Sequence, residues 1–181
     1  MATLFTTDPA TLLAVRATQL ALALVTVAQP AMAQEVPMAG PRVRTTNAVI
    51  SAAFALGIER SPTFRQRLAE IEVTDGLVYV EEGTCGNNSV AACLVPRLVV
   101  AGPSRLLRIF VDLRKATGCR LVATIGHELQ HAVEVLHDPS VRSGDAMYFL
   151  FARIGPVSSG PFETTAAKRT TLRIDREVCR D

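Results

Sequence analysis

The spacing of apolar and polar residues changes period twice along the chain, and each change marks a new kind of element. Asn47 caps a first helix that reaches Leu56 with Gly57 as its stop, and Ser61-Pro62 opens a second that ends near Glu70. Asp75-Gly76 then turns the chain into a strand over 77–81. Two β-rich runs follow at 94–100 and 106–113, split by Gly102-Pro103. Together they predict a small, mostly antiparallel three-stranded sheet, with Pro96 confining its strand to an edge or a bulge. Helical spacing returns over 118–137, and Pro139 ends it. Two more helices follow, one over 145–153 and one opening at Gly160-Pro161 and running toward Cys179. Thr164, Thr165, Thr170 and Thr171 count against the last, because threonine is a poor helix former. The fold class expected is α+β, a sheet packed with helices.

The N-terminal stretch reads differently. The apolar run LALALVTVA at 20–28 follows Arg16 and precedes Ala31-Met32-Ala33, the layout of a secretory signal. It is shorter than the roughly 20 apolar residues a membrane-spanning helix needs. Cleavage is expected after Ala33, leaving no stable membrane anchor, a flexible lead over 34–45 and one domain over 46–181. The destination is secreted or periplasmic. The whole chain of 181 residues carries 19 Lys and Arg against 17 Asp and Glu, and the basic residues are scattered, which gives no sign of a nucleic-acid-binding face, so no nucleic-acid partner is expected.

Four cysteines, Cys85, Cys93, Cys119 and Cys179, form an even set in a chain that reads as exported, so disulfides are expected. Three connectivities exist. The favoured one closes Cys85 on Cys93 around Gly86-Asn87-Asn88-Ser89 and leaves Cys119 for Cys179. No CxxC pair supports a zinc ribbon.

The chemistry concentrates in Ile125-Gly126-His127-Glu128-Leu129-Gln130-His131-Ala132-Val133-Glu134-Val135-Leu136-His137, which holds every histidine of the protein. On a helix His127 and His131 lie about 40° apart in azimuth and about 6 Å apart along the axis, so two imidazoles can reach one ion. Leu121, Val122, Ile125, Leu129, Ala132, Val133 and Leu136 fall on the opposite side and make the packing face. Zinc takes neutral imidazole nitrogens and, for catalysis, keeps one position for water. Glu128 stands beside that position, where a carboxylate takes the water's proton and hands it to a leaving amine. The plainer reading is a surface helix with solvated histidines. The clean amphipathic pattern, the β-rich region before it and the export layout weigh against that.

With these residues the sequence resembles the zincin superfamily of metallopeptidases, whose minimal core is a small twisted sheet followed by an HExxH helix. The resemblance covers roughly residues 77–179. It implies that His127 and His131 are ligands of one zinc ion and that Glu128 is the general base. Subfamilies differ in the third ligand. The metzincin pattern HExxHxxGxxH places His137 at the right spacing but finds Glu134 where glycine should break the helix. If the helix continues, His137 lies about 9 Å beyond His131 along the axis and misses the ion. Glu134 borders the site as a ligand or as a group holding a histidine. The gluzincin pattern takes a glutamate from a later helix, and Phe162-Glu163-Thr164-Thr165-Ala166-Ala167 resembles that element. The alternative for Glu163 is the third residue of that helix, satisfying free backbone amides. Tyr148 or His137 is the oxyanion candidate, and Arg120 and Thr124 share the histidine face.

The expected function is an exported peptidase with zinc held by His127, His131 and Glu163. Its peptide or protein substrate would pair with an exposed strand edge, with 106–113 as the candidate. The alternatives are an exported, disulfide-stapled binding module with a structural or lost zinc, and hydrolysis of another amide.

Overall fold

The computed structural model describes residues 41–86, 89–156 and 162–180. The signal segment, most of the lead and the Gly160-Pro161 pair therefore lie outside the described residues. The elements run β1 (Val43–Arg44), α1 (Ala48–Arg60), α2 (Pro62–Glu72), β2 (Gly76–Glu82), β3 (Ala92–Leu94), β4 (Val99–Ala101), β5 (Ser104–Val111), α3 (Gly118–His137), α4 (Gly144–Ile154) and α5 (Thr165–Val178). The class is α+β. The sheet is mixed, not mostly antiparallel, and has five strands in place of three.

Its long strands, β2 and β5, are parallel neighbours in register from Gly76 opposite Arg105 to Glu82 opposite Val111. The end of the expected flexible lead is the strand β1, which pairs parallel with β2 through Val43 and Val78. The run expected as one strand over 94–100 is two short ones, β3 and β4, both antiparallel to β5 along the same side. Pro96 falls between them, where its missing N–H costs no ladder bond. Gly102, at φ +58°, makes the tight turn of the β4–β5 hairpin. Strand β5 is therefore interior, with partners on both sides, which corrects its assignment as an exposed edge.

Alternation along β2 and β5 sends Val78, Val80, Leu107, Ile109 and Val111 into the core, all fully buried. The other face, with Tyr79, Arg108 and Phe110, is half-buried to exposed. The helices gather on the buried face, where Ile50, Phe64, Ile71, Ile125 and Leu129 join the same cluster. Helix α1 does not stop at Gly57. That glycine is inside the helix because Phe64 and Val122 press on it: a Cβ there would meet both side chains at 2.8 Å. The break comes at Ser61, whose N–H closes α1 on the Gly57 carbonyl and whose hydroxyl accepts the Phe64 N–H to start α2.

Helix α3 runs through the middle. The apolar side expected to be buried is buried, and so are Glu128, Gln130 and His131 on the other side, where β3, α5 and Phe151 of α4 respectively pack on them. Gly126 permits the approach of α5, since a Cβ there would lie 2.1 Å from the Ile174 side chain. The far end of α3 is held by Arg105, which is 1% exposed. Its guanidinium donates to the carbonyls of Val135, Leu136, Asp138 and Val141 at 2.7–3.1 Å and to the Asp75 carboxylate at 2.6–3.0 Å. Those carbonyls include the ones a helix end leaves without internal partners. The disulfides are Cys85–Cys93 and Cys119–Cys179. The second ties the start of α3 to the end of α5. Among the described residues no helix is long and apolar enough to cross a membrane.

Candidate metal centre

Helix α3 turns His127, Glu128 and His131 toward a cleft of about 620 Å³. Its other walls are β3 with the Cys85–Cys93 loop, Phe151 of α4, and Phe162-Glu163 just before α5. His127, His131 and Glu163 each bring one ligand atom, all within 4.8 Å of one another, a group able to hold a metal ion. The two Nε2 atoms are 3.1 Å apart, and Glu163 Oε1 is 3.6 Å from His127 Nε2. Two nitrogens on one tetrahedral zinc at about 2.0–2.1 Å would stand about 3.3 Å apart.

The hydrogen bonds behind the rings decide which nitrogens carry protons. His131 Nδ1 faces Glu134 Oε2 at 2.9 Å, and a carboxylate only accepts, so Nδ1 is the protonated nitrogen. His127 Nδ1 faces Thr171 Oγ1 at 2.8 Å. The Thr171 hydroxyl donates its single proton to the Ala167 carbonyl at 3.0 Å, so it accepts from Nδ1–H. In the neutral form both rings thus turn bare Nε2 lone pairs toward each other at 3.1 Å. Lone pairs at that distance repel unless a cation, a proton or a metal ion, stands between them.

Electrostatics agree. Burial and the neighbouring His131 push the His127 imidazole down to about 4. Burial also pulls on His131, but the Glu134 hydrogen bond and the charges of Glu128, Glu134 and Glu163 outweigh it and raise the group. Glu128, 6% exposed, is pushed up to about 7 by burial, against the pull of His131 and of the Leu94 amide. That amide points outward from β3 and donates to Glu128 Oε2 at 2.7 Å.

The other candidates fall elsewhere. Glu134 is not among the converging ligands but behind His131, where its second oxygen accepts from Thr164 Oγ1 at 2.7 Å. His137 is exposed in the last turn of α3, because the helix continues through Glu134. Tyr148 is on α4, 48% exposed, and its ring packs against Phe162 from outside the cleft lining. Arg120 and Thr124 also lie outside that lining. Glu163 is not the third residue of a helix, since α5 starts at Thr165 with Thr164 as cap, but its Oε1 does accept a backbone amide, the Thr164 N–H at 2.9 Å.

The sequence reading missed the Leu94 amide, Thr164 and Thr171. The signal for the threonines was present, since 164, 167, 171, 174 and 178 recur at helical spacing and face α3. Comparison with protein-family models, curated proteins and solved structures finds no match to this chain.

Proposed function

We propose that the chain is an exported zinc-dependent peptidase of the zincin type, hydrolysing peptide bonds with Glu128 as general base. The observation that carries the reading is the pair of imidazole Nε2 atoms 3.1 Å apart, with the Glu163 and Glu128 carboxylates lining the same cleft. His127, His131 and Glu163 would hold the ion. Bound there, zinc supplies a water acidified toward neutrality and a positive charge for the substrate carbonyl.

The remaining work belongs to the chain. The Thr171 hydroxyl and the Glu134 carboxylate fix the tautomers that free both Nε2 atoms. Glu128, held at Oε2 by the Leu94 amide, takes the proton of the attacking water and passes it to the departing amine nitrogen. The strand edge bordering the cleft is β3, and a peptide would pair with the chain there instead of along β5. Two disulfides are compatible with an oxidising compartment.

The test is zinc stoichiometry together with cleavage of an unstructured protein. Glu128→Gln is expected to keep the zinc and lose about 10²–10⁴ in rate. Zinc retained with undiminished cleavage removes Glu128 as base. Zinc retained with no cleavage by either form supports a binding module.

A further inference from the structure

Phe162 is the one described residue other than glycine with a positive φ, +78°. A bulky side chain is strained in that conformation and keeps it only where the surroundings enforce it. The surroundings here are α4. The Phe162 ring packs edge-on against Phe151 at 5.5 Å and Tyr148 at 5.8 Å, and Phe151 in turn packs against His131 at 5.2 Å. Gly155, at the end of α4, leaves room for the next residue's backbone: a Cβ there would lie 2.8 Å from the Glu163 carbonyl oxygen. On the other side Thr164 is fixed as the cap of α5 by its bonds to Ala167 N–H and Glu134. Glu163 thus sits between a wedged aromatic ring and a helix cap.

Resting on the metal centre proposed above, we infer that Phe162 is the positioning residue for the third ligand: its ring, wedged against α4, holds the left-handed backbone that turns the Glu163 carboxylate toward His127. Phe162 touches neither the ion nor the reacting bond in this role. It acts through Glu163, which separates it from a residue that only shapes the cleft.

The experiment is zinc affinity of the full chain, measured by competition with a chromogenic chelator, with thermal melting to confirm that each variant folds. Phe162→Ala keeps the backbone penalty and loses the wedge, and should bind zinc about tenfold or more weakly, as groups supporting a ligand typically do. Phe162→Gly also loses the wedge but reaches φ +78° without penalty, so it should lose less than Phe162→Ala. In a Glu163→Gln background, Phe162→Ala should weaken zinc no further, because the group it positions is gone. An affinity for Phe162→Ala equal to that of the unaltered chain overturns the inference. So does a loss as large in the Glu163→Gln background as without it. Failure of the unaltered chain to bind zinc brings down the metal centre itself, a different result from either.

Discussion

One cluster of charged and polar side chains lies at the end of α3 and another at its middle, and the two are finished to different degrees. Around Arg105 every guanidinium nitrogen has an oxygen partner: four carbonyls and the Asp75 carboxylate take up the donors. Around His127 and His131 the outer nitrogens are equally well held, yet the inner pair faces itself at 3.1 Å. A cluster that closes on its own partners serves the fold. One that brings two imidazole nitrogens and a carboxylate to one point forms a group able to hold a metal ion.

Each cluster can be broken separately. The largest effect is expected from Arg105→Met, which strands Asp75 and the carbonyls at the end of α3. Each buried carbonyl left without a donor costs about 1–3 kcal/mol, while Asp75, 34% exposed, is left to water; the loss is to be read by denaturant titration. Thr171→Val, close to isosteric, should do the opposite. It leaves unfolding nearly unchanged while zinc affinity falls about 10–100-fold, because the His127 Nδ1–H loses the acceptor that sets its tautomer. If Thr171→Val instead melts the protein and spares zinc, the division between the two clusters is wrong.

The smallest effect is acid dependence. The hydrogen bond and charge of Arg105 hold the Asp75 carboxyl below its ordinary 3.8. A group depressed in the folded state adds stability that is complete above 3.8 and disappears as pH falls through the lower folded value. Unfolding measured from pH 5 downward should show that loss in the unaltered chain and a shallower one in Arg105→Met.

The finished cluster was invisible in the sequence and the unfinished one was not. HExxH has a fixed spacing on a single helix, so His127, Glu128 and His131 could be read from local periodicity alone. Arg105 has partners 30 or more residues away at Asp75, Val135, Leu136, Asp138 and Val141, and nothing beside it announces them. The sheet was misread for a related reason. Apolar alternation shows which face of a strand is buried, but not which way its neighbour runs, so β2 and β5 gave no sign of being parallel. The threonines before Cys179 teach the converse. Propensity counts them against a helix, yet Thr170 and Thr171 inside α5 bond Gln130 and His127, and Thr164 caps it while bonding Glu134. Tertiary partners outweighed an intrinsic preference of a few tenths of a kcal/mol per residue.

The Cys119–Cys179 bridge gives the central pair of helices the plan of a pair of tongs. The rivet is at one end, where α3 begins and α5 finishes; the jaws are where Glu163, just before α5, meets the histidines at the middle of α3. An ion gripped there would be a second fastener between the two helices, completing a frame that the covalent chemistry closes on one side only.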